Sequence, residues 1–231
     1  MSDPEKIDVM ATVISLAERI RAGLDRDEVE ARVRRRNRLA HEERMRAAAR
    51  DPRVGLPANP DLLRIAMRDG DGKAAEVCNE VYAFARGSQS RTATCWLIGP
   101  PGTGKTTSAM RMILRHEAEG RSALYLRAPV IPAVRNYGTQ ELYDRARRVD
   151  LLVVDEIGTE DAPKAIGSLV LERHDYGKLT ILVGNLEPPQ CVARYELMDD
   201  ARMRSRMAQL RRLGCPPVRV IRDRDYREGG R

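Results

Sequence analysis

The segment IGPPGTGKTT, residues 98–107, constrains this chain more than any other feature of its sequence. It follows the short apolar run CWLI and precedes SAMRMILRHEAEG, whose pattern predicts a helix. The segment matches G-x-x-x-x-G-K-[ST], the pattern of a loop that binds phosphate groups between a strand and a helix. We therefore expect a strand at 93–98, a phosphate loop, and a helix at 104–118.

The residue types of this loop indicate what it binds. Glycines at 99, 102 and 104 allow a tight turn whose backbone N–H groups point at phosphate oxygens. Lys105 adds a positive charge toward the β- and γ-phosphates, and Thr106 offers a hydroxyl to Mg²⁺. ATP and Mg²⁺ are the expected ligands. The residues expected to bind the nucleotide are Gly99, Pro100, Pro101, Gly102, Thr103, Gly104, Lys105, Thr106 and Thr107.

Strand and helix patterns alternate from residue 93 onward. Further strands are expected at 122–127, 150–154, 179–183 and 218–222, and further helices at 139–147, 162–175 and 196–213. Runs such as DLLVVD are apolar at consecutive positions, which suits strands covered on both faces. We predict the α/β class, with a three-layer α/β/α arrangement around a central parallel sheet.

The N-terminal part predicts a small helical extension. Apolar residues recur at helical spacing over 5–22, and a second helix to about residue 50 contains RVRRRNR, with five arginines in seven residues. Prolines in DPRVGLPANP indicate a boundary. We expect a helical extension that docks a partner at 1–52, a linker with short helices at 53–90, and the main domain at 91–231.

Composition excludes several kinds of protein and site. No apolar run approaches the ~20 residues of a membrane helix, and the acidic N-terminus lacks the apolar stretch of a signal peptide. We therefore expect a cytoplasmic protein that does not contact a membrane. The four cysteines form no C-x-x-C pair, which argues against a zinc site. Residues 201–231 hold ten arginines and three acidic residues, so this basic end favours a polyanionic partner.

A second motif, VDLLVVDEIG, favours hydrolysis. Asp155, at the end of the predicted strand, would hold Mg²⁺ through water, and Glu156 would be free to orient an attacking water as a general base. Asn185 follows the next apolar run, LTILVG, and should surface beside Asp155 in a parallel sheet. An amide at that place would hold the water or sense the γ-phosphate.

Arginines beyond the sheet favour an active site that is completed by a second subunit. Arg202 and Arg206 are four residues apart in DDARMRSRMAQLRR and so share one helical face. An arginine donated across a subunit interface neutralises charge in the transition state of phosphoryl transfer. We expect Arg206 to be such a finger in a homo-oligomer. A solvated basic helix or a helix that contacts DNA is the alternative.

The segments GPPGTGKT, VDLLVVDEIG, ILVGNL, RMRSRM and DYR, in this order, resemble the AAA+ ATPases over about residues 90–227. Within them, the chain looks like the DnaC-type helicase loaders and the IstB-type transposition ATPases. The resemblance implies these roles: Walker A for Lys105 and Thr106, Walker B for Asp155 and Glu156, sensor 1 for Asn185, arginine finger for Arg206 and sensor 2 for Arg227. It also implies contact with single-stranded DNA, for which the candidates are Arg127, Arg135, Asn136 and Tyr137.

On this resemblance, the chain is expected to be an ATPase that oligomerises, binds DNA and loads or remodels a replicative helicase. An IstB-type ATPase that assists a transposase is the close alternative. A small-molecule kinase on the same loop is a second alternative, against which the Asp-Glu pair argues. A binding module that uses ATP as a switch and barely turns over is a third.

Overall fold

A computed structural model gives the fold of the chain. It describes residues 26–68, 72–87, 94–131, 140–161, 163–187 and 218–221, with isolated residues at 15, 190, 194, 201, 204, 205, 208 and 212. The helices expected at 5–22 and 196–213 lie outside the described residues, apart from those isolated positions.

The described helices and strands alternate from the first strand to the fourth. The helices are α1 (Arg26–Arg50), α2 (Pro60–Met67), α3 (Lys73–Gly87), α4 (Lys105–Ala118), α5 (Gln140–Arg148) and α6 (Pro163–Asp175). The strands are β1 (Thr94–Ile98), β2 (Ala123–Arg127), β3 (Leu151–Ile157), β4 (Leu179–Gly184) and β5 (Val218–Val220). Among these helices, none combines the length and the apolar character that crossing a membrane requires.

The five strands form one parallel sheet in the order β2-β3-β4-β1-β5. Every residue of β1 and of β4 is buried, because helices cover both faces of the sheet. Since all strands run in the same direction, their carboxyl ends lie along one edge. The segments that follow β1, β4 and β3 are therefore neighbours at that edge.

Two apolar clusters cover the two faces of the sheet. Leu97 and Val153 belong to the cluster that includes α3 and α4, whereas their chain neighbours Trp96 and Leu152 belong to the cluster that includes α5 and α6. This alternation is what a strand with two buried faces produces. The predicted three-layer α/β/α fold is confirmed.

The chain divides into two compact units, Met1–Arg44 and Met45–Arg231. In the first unit, residues 27–44 of α1 are exposed or half-buried, as an arginine-rich helix requires. In the second unit, Met45 and Ala48 are buried in the same cluster as α2 and α3. The division thus precedes the proline-rich segment where the sequence suggested a boundary. Within the segment expected to be a linker, α2 and α3 both present apolar faces to this cluster.

Candidate nucleotide-binding site

The phosphate loop joins β1 to α4 at the carboxyl edge of the sheet. Gly99, Gly102 and Gly104 have φ values of 146°, 78° and 76°, which side chains other than glycine rarely adopt. A Cβ atom on Gly99 would also collide with the carbonyl oxygen of Ile221, just beyond β5. The loop can therefore turn back over the sheet only with glycine at its first position.

Lys105 lies at the centre of this loop and is 5% exposed. Its Nζ donates to the carbonyl oxygens of Gly99 (3.0 Å) and Pro100 (2.5 Å) and to Oγ1 of Thr103 (3.2 Å). These acceptors all belong to the loop, so a bound anion can replace them as partners of the ammonium group without disturbing the core. The loop is thus a cradle with one buried positive charge at its base.

The acidic pair lies inside β3, whereas the sequence had placed it just after a strand that ended at 154. The register between β3 and β4 shifts between Val154 and Ile157, which marks a β-bulge at Asp155 and Glu156. Glu156 has a φ of 60° and is the one described residue other than glycine with a positive φ. Such a conformation costs about 1 kcal/mol or more and needs support from its surroundings. The N–H of Glu156 supplies part of it by donating to Oδ1 of Asp155 at 2.8 Å.

Strand β2 supplies the rest of this support. Tyr125 donates its hydroxyl to Oδ2 of Asp155 at 2.6 Å, and Nε of Arg127 donates to Oε2 of Glu156 at 2.8 Å. Glu156 is therefore paired with an arginine, whereas the sequence predicts a free carboxylate at this position. The arginine that we expected to contact DNA is the one that holds this acid. The Glu156 carboxylate raises the pKa of Arg127 through these hydrogen bonds.

Asn185 follows β4 and is exposed to solvent. The preceding residue, Gly184, pairs with Ile98 at the end of β1 and with Ile157 at the end of β3. This register places Asn185 at the sheet edge between the strand of the phosphate loop and the strand of the acidic pair. The backbone of Asn185 therefore follows directly on a residue that pairs with both neighbouring strands.

The residues at this edge suit a magnesium–nucleotide complex better than a metal held by protein alone. Among the described residues, no group of three or more His, Cys, Asp or Glu side chains is placed to hold a metal ion. Thr106 is half-buried in the first turn of α4, and Asp155 presents a carboxylate that is 4% exposed. One hydroxyl and one carboxylate, with phosphate oxygens and water, are the ligands Mg²⁺ takes in sites that bind it together with a nucleotide.

Several predicted site residues lie outside the described part of the chain. They are Arg135, Asn136, Tyr137, Arg202, Arg206 and Arg227. Ile221, the last residue described, donates its N–H to the carbonyl of Ile98 at 2.7 Å. Ile221 therefore lies beside the first residue of the phosphate loop. No motif marks Tyr125, so the sequence does not predict its contact with Asp155.

Solved structures share this fold at low sequence identity. A DnaI structure gives a TM-score of 0.54 with 16% identity, over 72% of this chain and 93% of that chain. The DnaC helicase loader gives 0.52 with 16% identity, over 71% and 100%. AMPPCP-bound DnaA from Aquifex aeolicus gives 0.52 with 18% identity, over 73% and 53%, so this chain spans about half the length of that DnaA.

No protein-family model matches the sequence, and no curated protein is significantly similar to it. At identities of 16–18%, the likeness to the solved structures shows the fold and nothing finer. The fold expected from the motifs is confirmed: this chain shares its fold with the structures of DnaI, the DnaC helicase loader and DnaA.

Proposed function

We propose that the chain is a DNA-dependent ATPase that binds ATP with Mg²⁺ at the carboxyl edge of its sheet and hydrolyses it. One observation carries the proposal. The phosphate loop follows β1, the acidic bulge lies near the end of β3, and Asn185 follows β4. These three are adjacent strands of one parallel sheet. A cradle for phosphate, a carboxylate pair and an amide thus meet at one place, as hydrolysis of a nucleoside triphosphate requires.

Each residue of the site has its own role in the proposed hydrolysis of ATP. The loop N–H groups and Lys105 bind the β- and γ-phosphates, and Thr106 and Asp155 hold the magnesium–phosphate complex in place. When bound, Mg²⁺ neutralises charge on the phosphate oxygens. Asn185 holds the attacking water, and Glu156 accepts its proton once the carboxylate leaves Arg127. The ion pair with Arg127 therefore represents a resting arrangement of the site.

Completion of the site by a second copy of the chain is part of the proposal. Arg206 acts as the arginine finger across a subunit interface, and Arg227 acts as the sensor-2 arginine toward the γ-phosphate. Both residues lie outside the described part of the chain, so their roles rest on the motifs RMRSRM and DYR. A homo-oligomer that forms with ATP is the expected assembly.

The cellular role that we propose is the loading or remodelling of a replicative helicase on single-stranded DNA. The fold shared with the DnaC helicase loader supports this choice. The exposed arginines of α1 belong to a helical extension that we propose as the partner-docking segment. Arg135, Asn136 and Tyr137, together with Arg127 after its release from Glu156, are the proposed contacts with DNA. A cytoplasmic location stays a prediction from the sequence.

ATP hydrolysis by the purified protein, with and without single-stranded DNA, tests the enzymatic part. We expect DNA to stimulate hydrolysis, Lys105→Ala to abolish nucleotide binding, and Arg206→Ala to abolish turnover while ATP still binds. Turnover that is independent of DNA and unchanged in Arg206→Ala would remove the shared active site from the proposal. Transfer of phosphate to a small molecule instead of water would identify a kinase.

A binding assay with purified partners tests the cellular role. A replicative helicase and a transposase from the same source are each incubated with the protein and ATP. Retention of the helicase supports the loader, whereas retention of the transposase alone assigns the chain to the IstB type. The comparison includes a Glu156→Gln variant, which is expected to bind ATP without hydrolysing it and so to stabilise the assembly.

A further inference from the structure

We propose that Tyr125 is a positioning residue of the nucleotide site, whose buried hydroxyl fixes the Asp155 carboxylate for binding of the magnesium–nucleotide complex. The inference rests on the proposed function and deepens it. It assigns a role to a residue on β2, a strand that contributes nothing to the Walker motifs. Tyr125 acts through Asp155 and contacts neither nucleotide nor metal.

The register of the sheet brings the two side chains together. Arg127 pairs with Asp155 in the β2–β3 ladder, and Tyr125 lies two residues earlier on the same face of β2. The tyrosine side chain reaches forward along the strand, and its Oη lies 2.6 Å from Oδ2 of Asp155. Because the N–H of Glu156 donates to Oδ1, the two carboxylate oxygens each have one described donor.

The tyrosine ring has little freedom to withdraw. Tyr125 is 4% exposed and packs in the apolar cluster that includes α4. The 3₁₀ turn at Pro52–Val54 lies against β2, and Val54 is fully buried. A Cβ atom on Gly55 would lie 2.5 Å from the carbonyl oxygen of Tyr125, so the backbones approach as closely as glycine allows. The hydroxyl is thus a donor held in one place.

The surroundings of the Tyr125 phenol favour its protonated form. Burial, and then the negative charge of Asp155, raise the pKa of Tyr125 above its ordinary value. The protonated hydroxyl is the form that donates to the Asp155 carboxylate.

The hydrogen bond matters because Asp155 lies in a strained bulge. A buried carboxylate with a missing donor either turns away or takes up water. Loss of the Oη donor would leave Oδ2 without its described partner and release one of the two restraints on the carboxylate plane. Binding of the phosphates by the loop would be unaffected, because Lys105 and the loop N–H groups do not involve Tyr125. The defect should therefore appear in the magnesium requirement.

Binding of a fluorescent ATP analogue tests the inference in the full-length protein. Tyr125→Phe removes the hydroxyl and keeps the ring. We expect the Mg²⁺ concentration that half-saturates tight binding to rise about tenfold, and affinity in EDTA to stay within about twofold. Tyr143→Phe is the matched control, since Tyr143 is also buried and donates to a carboxylate, that of Glu172 at 3.3 Å, on the opposite face of the sheet. It should leave both quantities unchanged.

The outcomes separate this inference from the proposed function. An unchanged magnesium midpoint in Tyr125→Phe overturns the positioning role and leaves the ATPase proposal standing. Absence of magnesium-dependent nucleotide binding in the unmodified protein overturns both. If Tyr125→Phe is too unstable to titrate, thermal unfolding decides. The substitution should then lower the melting temperature of an Asp155→Ala variant less than that of the unmodified protein, and equal losses overturn the proposal.

Discussion

Glu156 meets Arg127 at the end of β2, where both side chains are still partly open to solvent. Their exposed fractions are 43% and 59%, so water screens the ion pair and breaking it costs little. Arg127→Gln should release the Glu156 carboxylate and raise ATP hydrolysis in the absence of DNA by about two- to fivefold. Steady-state phosphate release without DNA measures the effect.

The control for Arg127 is an ion pair of similar exposure away from the site. Arg64 pairs with Asp61 in α2, and its side chain is 61% exposed. Arg64→Gln should leave hydrolysis unchanged. A fall in hydrolysis in Arg127→Gln would mean that the arginine supports the active arrangement of Glu156 instead of restraining it.

Burial of His116 makes the stability of the protein depend on pH. It is 2% exposed, meets the ring of Tyr82 edge-on at 5.2 Å, and lies 3.2 Å through Nδ1 from the carbonyl of Met112. Burial lowers the pKa of His116 from 6.5 to about 4. Since the folded pKa is depressed, the stabilisation is present above pH 6.5 and is lost as the pH falls toward about 4.

The expected loss of unfolding free energy for His116 is about 2 kcal/mol by about pH 5. His116→Phe cannot take up this proton, so its stability should decline less between about pH 7.5 and pH 5. Urea unfolding at the two pH values measures the difference. His41→Asn, at a half-buried position of α1, serves as the control and should retain the full decline. Parallel curves for His116→Phe and the unmodified protein would contradict the assignment.

At the scale of elements, Arg173 joins α5, α6 and β4 at the edge of the sheet opposite the nucleotide site. The side chain is fully buried and donates to the carbonyls of Ala146 (2.5 Å), Val149 (3.0 Å) and Leu179 (2.6 Å) and to the hydroxyl of Thr180 (2.9 Å). Burial lowers the pKa of Arg173 to about 9, so it stays charged at neutral pH. Its planar donor set replaces the water that these carbonyls would otherwise bind.

Arg173→Lys should therefore be strongly destabilising although it preserves the charge. An ammonium group cannot reach acceptors on α5, on the segment after α5 and on β4 at once, and buried carbonyls without donors cost about 1–3 kcal/mol each. We expect a loss of about 3 kcal/mol or more in the free energy of unfolding, measured in urea. Arg148→Lys, on the exposed end of α5, should change stability by less than about 0.5 kcal/mol. Similar losses in both variants would refute this role.

The burial and the backbone requirements of each element explain which parts of the fold can be predicted from the sequence. Strands such as β1 and β4 are recognisable in the sequence as continuous apolar runs, because both of their faces are buried. The phosphate loop is recognisable by its glycines, because its backbone requires them. No sequence pattern marks the bulge in β3, so the strand was expected to end at residue 154. The contacts of Tyr125 and Arg127 with the acidic pair depend on the register between β2 and β3, which no local pattern of residues encodes.

At the scale of the whole molecule, the division into compact units after Arg44 differs from the boundary expected at the proline-rich segment. Prolines mark a break in helical structure, and the chain does leave α1 there, at Pro52. Whether a segment belongs to the core depends instead on whether its apolar side chains are buried. Met45 and Ala48 are 3% and 7% exposed and pack in the cluster that includes α2, α3 and α4. The last turns of α1 therefore belong to the unit that contains the nucleotide site.

Two truncated chains distinguish a boundary before Met45 from a boundary at the proline-rich segment. A chain of residues 45–231 retains both apolar clusters, so it should unfold cooperatively and bind ATP within about twofold of the full chain. A chain of residues 53–231 loses Met45 and Ala48 from the core, which should lower the free energy of unfolding by about 3 kcal/mol. Urea unfolding and nucleotide binding measure both effects. Equal stability of the two chains would mean that these residues contribute no packing, and the boundary would then lie at the prolines after all.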